Sequence, residues 1–183
     1  VSQHKDWLII QSERVVDLQD RLEIAREADD RPACERLFLE LEQIADNLVG
    51  LKPQLTGDDL AYAMFMLGSI CSLMGLWIHA EEAYDHALAL WPDHVGLLNE
   101  MAECQFELQQ YERAIQYLEK SIRIGGDTPD IIHELAIAQA WAGKHQLAKI
   151  TLINGLAKYP HHPQLSESIT EIEKLPEAGK ASL

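Results

Sequence analysis

Positive charge is what this sequence has least of. Fifteen Lys and Arg stand against thirty Asp and Glu, a net charge of -15 over 183 residues. The deficit is spread out, -7 over residues 1–60, -6 over 61–162 and -2 beyond, so no acidic tail carries it. A field of that sign repels phosphate backbones and anionic lipid, which argues against nucleic acid or a membrane surface as partner. It steers basic partners inward. Cysteine is scarce too. Cys34, Cys71 and Cys104 include no CxxC pair, and an odd number at wide spacing argues against a disulfide framework and for a reducing, cytoplasmic setting. No apolar run approaches the length of a membrane span. The chain starts at Val1 without a methionine, which leaves room for a targeting segment removed ahead of it.

Catalytic and metal-binding patterns are also missing. His133-Glu134 begins like a zinc-protease helix, but Ile137 stands where the second histidine belongs. His161-His162 sit in a turn with no Cys or carboxylate close by. His79 and His86 lie seven apart, too far for a two-ligand site on their own. Gly125-Gly126 lacks the strand and the further glycines of a phosphate loop. Cys71 and Cys104 read as small thiols in a helical core. The expectation is a chain that is not an enzyme, with no metal and no cofactor.

What the sequence does have is a 34-residue unit written three times without a gap, at 61–94, 95–128 and 129–162. One column reads Leu67, Met101, Leu135 and the next Gly68, Ala102, Ala136. Later columns read Ala80, Ala114, Ala148, then Tyr84, Leu118, Leu152, then Ala87, Ser121, Gly155. Pro92 and Pro160 close the first and third units, and the second has Gly126 there. A fixed period of small, large and chain-breaking residues marks a repeat array. Apolar and charged fractions of 47% and 25% and a length of 183 residues fit one ordinary domain with a substantial core.

Each unit resolves into two helices by its three-four apolar spacing. The predicted helices run near 58–74 and 77–90, 94–108 and 111–124, then 129–142 and 145–159. Turns fall at Gly75, Gln109 and Gly143. Thr56 with Asp59 suggests a capping arrangement, Asp93 a cap for the third of these helices, and Thr128-Pro129 a cap and first-turn proline. Ahead of the array, Leu8, Val15, Leu18, Leu22 and Ala25 predict a helix over 4–28. After Arg31-Pro32, Cys34, Leu37, Phe38, Leu41, Ile44, Ala45, Leu48 and Val49 predict a second, ended by a connection at 50–57. Carried back by 34, the Ala80 column lands on Asp46 and the Ala87 column on Pro53, so residues 1–57 read as a capping hairpin and not a fourth repeat. The cluster Trp7, Leu8, Ile9, Ile10 is too wide for one stripe. It suits either contact with both the adjacent helix and a second subunit, as in a homodimer through the N-terminal helices, or a start tucked under the first repeat. Residues 163–183 read as a C-terminal capping helix, with Leu165, Ile169 and Ile172 on one face, and a frayed tail from Pro176.

The small columns predict close helix approach inside each unit, with Met64, Leu98, Ile132 and Tyr84, Leu118, Leu152 supplying volume. Gly155 within a helix costs about 1 kcal/mol against alanine, so its place in a small column argues that close approach outweighs propensity. With Leu67-Gly68, Ala80, Tyr84, Ala87 and Pro92 in the first unit, and Leu135, Gly143, Ala148, Leu152 and Pro160 in the third, the array resembles the tetratricopeptide repeat family. Gln109, Ser121 and Gly126 are departures from its pattern in the second unit. The resemblance implies an all-α fold, a right-handed superhelical stack of antiparallel helix pairs. It also implies a concave groove, lined by the first helix of each pair, that binds a peptide segment or helix of a partner protein. By that resemblance the groove positions are Tyr62, Phe65, Ser69 and Ser72, then Asn99, Glu103 and Phe106, then His133, Ile137 and Ala140. Phe65 and Phe106 are alternatively core residues.

The first unit has no Lys or Arg, so the carboxylate clamp that co-chaperone members use for terminal tails is not expected. The groove reads as apolar and aromatic with acidic edges at Glu100, Glu103 and Glu107, suited to apolar anchors with basic or neutral flanks. The leading expectation is a non-enzymatic adaptor. Two alternatives stand beside it: a chaperone resembling those that hold type III secretion translocators, and a scaffold that self-associates.

Overall fold

The computed structural model describes residues 4–174. All regular structure among them is helical: α1 Lys5–Glu27, α2 Arg31–Leu51, a 3-10 turn at Lys52–Gln54, α3 Gly57–Leu73, α4 Trp77–Leu90, α5 Val95–Glu107, α6 Tyr111–Gly125, α7 Pro129–Trp141, α8 His145–Lys158 and α9 Pro163–Lys174. The fold is all-α, as expected, with every predicted repeat helix present within about a residue at each end. The tail from Pro176, read as frayed, lies outside the described residues. The chain divides into two compact units, residues 1–97 and 98–183, with the boundary inside α5.

In the first unit α1 buries Leu8, Val15, Leu18, Leu22 and Ala25, the stripe that the spacing predicts. They share one core with Leu37, Leu41, Ile44 and Leu48 of α2 and with Ala63, Met66 and Ile70 of α3. Asp30 caps α2 through the Ala33 N–H at 3.0 Å. Two details differ from the expectation. Val49 is exposed, because one residue past buried Leu48 turns it about 100° off the stripe. Gly50 does not end α2, which runs on to Leu51 before the 3-10 turn. Thr56 precedes α3 without a side-chain capping bond, and the cap bond at α5 is made by His94 Nδ1, which accepts from the Leu97 N–H at 3.1 Å.

The small columns do what their size implies. A Cβ built on Gly68 would lie 2.3 Å from the buried Tyr84 ring, so only glycine lets α4 close on α3 there. In the second unit a Cβ on Gly155 would lie 2.7 Å from Ile132 Cγ2, the same device between α8 and α7. Ala102 and Ala114 join Ile115, Leu118, Ile131, Leu135 and Ala138 in one core. Ala136 and Ala148 join Ile132, Leu152, Leu165 and Ile172 in another. The second unit is closed by α9, whose Leu165 and Ile172 supply that core's far wall.

All three intra-repeat turns use one left-handed residue, Gly75 at φ 72°, Gln109 at φ 59° and Gly143 at φ 77°. Each ends its helix with the same doubled bond, as in Leu76 N–H to Cys71 O, Gln110 N–H to Gln105 O and Lys144 N–H to Gln139 O, all 2.8 Å. Between α6 and α7, Thr128 accepts from the Ile131 N–H at 3.3 Å with Pro129 in the first turn.

Candidate interaction surfaces

In the first unit α3 presents Tyr62 and Phe65 half-buried. Their rings lie in an aromatic cluster with two residues that follow α4. Tyr62 is 6.3 Å from Trp91, Phe65 is 5.8 Å from His94, and Trp91 stacks on His94 at 5.2 Å. Asp58 fixes the indole by accepting from Trp91 Nε1 at 2.9 Å. Ser69 and Ser72 are committed inward. Ser72 Oγ lies 3.2 Å from the Tyr84 hydroxyl, which also donates to Ser69 Oγ at 3.5 Å, while Ser69 donates to Phe65 O. These serines satisfy the phenol that Gly68 admits to the core, so their hydroxyls serve the repeat itself.

The second unit places five of its six expected residues together. Asn99, Glu103 and Phe106 of α5 and His133 and Ile137 of α7 line one cleft of about 340 Å³. Ala102, Ala114, Leu118 and Ala138 form its apolar floor, and Glu100 and Glu134 complete its rim. Phe106 is half-buried and set against Tyr111 at 5.2 Å and Trp141 at 6.3 Å, so it is neither wholly core nor wholly surface. Ala140 does not belong to the surface. It is 3% exposed and packs with Ile132, Ala136 and Ala148, because a residue four after Ala136 returns to the same buried stripe.

The cleft is electrostatically strained. Glu103 keeps an exposed surface, yet partial burial, then Glu100 and Glu107, raise its carboxyl above the usual range. Glu134 keeps an exposed surface at the rim, yet partial burial, then Glu103, Asp130 and Glu100, push it up to about 7. No Lys or Arg lines the cleft to offset this charge. Asn99 adds an amide oxygen, buried and without a hydrogen-bond partner. His133 is turned toward α9, where its Nδ1 lies 2.8 Å from Ser168 Oγ. That hydroxyl already donates to Gln164 O at 2.7 Å, so Nδ1 of His133 carries the proton in this pair. Burial lowers the His133 pKa, with Glu171 and Asp130 opposing.

Glu134 is the cleft residue that the sequence reading passed over. Its signal was present: it falls 34 residues after Glu100, so one column supplies the same acid to two successive helices. Among the described residues, no group of three or more His, Cys, Asp or Glu is placed to hold a metal, and no helix is long and apolar enough to cross a membrane. Cys71 and Cys104 are buried free thiols and Cys34 is a half-buried one.

Residues 59–125 match the tetratricopeptide repeat family model. A search of curated proteins finds no match. Among solved structures, MamA superposes with a TM-score of 0.57 at 17% identity, covering 88% of this chain and 81% of that one. The N-terminal domain of stress-induced protein-1 from C. elegans gives 0.56 at 24%, covering 63% and 96%. The second such domain of human RPAP3, solved with an HSP70 peptide, gives 0.54 at 22%, covering 59% and 90%. The matched stretch spans the first two copies almost entirely, and the third repeats their turn and their small-residue packing. Residues 59–125 are thereby assigned to the tetratricopeptide repeat family, and the chain shares the all-α helical-repeat fold of these solved structures.

Proposed function

We propose that this protein is a non-catalytic, cytoplasmic adaptor whose second-unit cleft holds a partner segment by an apolar anchor with basic flanks. The observation that carries the reading is the cleft itself: an apolar lining that includes Phe106, Leu118 and Ile137, with Glu100, Glu103 and Glu134 at its rim. An apolar side chain seated on that floor gains about 25 cal/mol per Å² removed from water. A lysine or arginine beside it relieves the repulsion among the rim carboxylates and gives the buried Asn99 oxygen a donor. The human RPAP3 domain is in complex with a peptide ending in EEVD. That acidic ending suits this cleft poorly, since it would add carboxylates to a rim with no Lys or Arg. Tyr62, Phe65 and Trp91 offer a second, aromatic contact surface in the first unit. We read residues 1–57 as the cap of the array at 58–162.

The test is fluorescence polarisation with short peptides that share one Leu or Phe anchor and differ only in flanking charge. Basic flanks are expected to bind at least tenfold more tightly than acidic ones. Glu103→Lys with Glu134→Lys, both exposed and so tolerated by the fold, is expected to reverse that order. Equal binding of both peptide sets, or no response to the charge reversal, would overturn the reading.

A further inference from the structure

Two helix faces lie outside the cleft and outside every core. The outer face of α1 carries Ile9, Val16 and Ile24, the last two 58% and 66% exposed. Helical spacing sets Asp6, Glu13, Asp20 and Glu27 on that same face, opposite the buried Leu8, Leu18 and Leu22 stripe. The arginines of α1 do not neutralise it. Arg14 bonds to Glu40, Arg21 to Asp17 and Glu40, and Arg26 donates to Leu73 O. The face is apolar and acidic at once.

The outer face of α8 is its counterpart. Leu147, Ile150 and Ile153 stand 43%, 53% and 56% exposed, away from the buried Ala148, Leu152 and Gly155. In a chain with thirty acids, α8 is the one described helix that contains none. Its cations are Lys144 just before it and Lys158 at its end, bridged to Glu112 and Asp127, and Lys149 within it. Every other described α-helix would meet the acids of α1 with acids of its own.

We propose that the outer face of α1 in one copy of this chain docks on the outer face of α8 in a second copy. The occupant follows from charge: the apolar face with acids finds, among the described helices of the same chain, one apolar face on a helix without them. Net repulsion between copies does not forbid this, since at 0.15 M salt charges farther apart than about 8 Å are largely screened and the local patches decide. The contact is heterologous, so a copy that gives its α1 still presents its α8 to another. The 14 residues of α8 span about 21 Å, and one helix-on-helix contact of that length falls at the small end of specific interfaces. Assembly is therefore weak and rises with concentration.

Sedimentation velocity on the full chain at 0.15 M salt tests it. The wild type is expected to move from one mass at low micromolar concentration to at least twofold that mass at several hundred micromolar. Val16→Asp and Ile150→Asp each alter an exposed residue, and each alone is expected to stay at one mass. Their equimolar mixture is expected to form two-chain species and nothing larger, joined through the intact α1 of one and the intact α8 of the other. A mixture that stays at one mass, an Ile150→Asp variant that assembles like wild type, or a wild type at one mass throughout would each overturn the proposal. Phe106→Glu in the cleft is expected to leave the mass unchanged, so this contact and peptide binding fail separately.

Discussion

In the first repeat the second helix sends Tyr84 onto Gly68; in the second repeat the same two positions hold Leu118 and Ala102. The Tyr84 ring is fully buried and its hydroxyl reaches Ser69 and Ser72, so the outward positions of α3 are drawn into the repeat's own packing. Leu118 has no ring to send so far. Around it the second unit keeps an open cleft, and the equivalents of the two serines, Glu103 and Phe106, line that cleft. Tyr84 with Gly68 thus accompanies a closed inner surface in the first repeat, and Leu118 with Ala102 an open one in the second. The same 34-residue frame yields a closed aromatic surface in one copy and an acid-rimmed cleft in the next.

The largest expected effect comes from closing the first repeat too tightly. Gly68→Ala puts a Cβ within 2.3–2.9 Å of three Tyr84 ring atoms that have no exposed side to retreat to. A loss of about 2 kcal/mol is expected, even though alanine gains helix propensity. Thermal or urea melts measure it. The companion variant Tyr84→Leu relieves the clash, so the double variant is expected to be more stable than the additive sum of the two single changes. Ala114→Leu tests the second repeat in the same way. Ala114 is fully buried between Leu118, Ile131 and Leu135, and overpacking there is expected to cost roughly 1–3 kcal/mol. A melt that matches wild type would mean that the cleft beside it absorbs the added volume, and the second repeat would be looser than its columns imply.

The fold was legible because packing wrote itself into the period. Gly68, Gly155 and the alanine columns are small for a steric reason that repeats every 34 residues, and the left-handed turns recur with them. The cleft was legible in part. Asn99, Glu103, Phe106, His133 and Ile137, expected by resemblance, line one cleft. Ala140 was misplaced because a column with Phe106 in one repeat and a buried alanine in the next has no constant face. Ser69 and Ser72, expected to face the groove, are bonded instead to Tyr84, a ring from another helix that no local pattern records. Glu134 needed a column read for charge as well as for size. The paired surfaces on α1 and α8 were half visible, as an over-wide apolar start near Ile9 and Ile10, while the meaning of an acid-free helix emerges only when the exposed faces are known.

A smaller effect separates the turns. Gly75 adopts its left-handed conformation without strain, whereas Gln109 holds the same φ region with a Cβ. Gln109→Gly is expected to raise stability by up to about 1 kcal/mol, since the relief of strain is partly offset by the greater freedom of glycine in the unfolded chain. Equilibrium urea unfolding is sensitive enough. A loss of stability would mean that the Gln109 side chain contributes to the second repeat in a way that no glycine turn requires.

The smallest effect is electrostatic and belongs to the second unit alone, since the first has no comparable carboxylate cluster on its α3 surface. Glu134 sits at about 7 in the folded chain against about 4.3 when unfolded. The folded state therefore holds the proton more tightly, and between those values it binds more protons than the unfolded chain does. Stability from this group is fully present below the unfolded pKa and is lost as pH rises through about 7. Because Glu134 keeps an exposed surface, solvent screening limits the size, and a shallow decline in Tm is expected from pH 5 to pH 7.5. Glu134→Gln is expected to flatten that decline and to raise Tm at pH 7.5. A basic-flanked peptide in the cleft favours the ionised form, so its binding is expected to release a proton near pH 7. Titration calorimetry in two buffers of different ionisation enthalpy reads that release directly. Binding with no proton release would place the peptide's cation away from Glu134 and leave the Asn99 and Glu103 side of the rim to hold it.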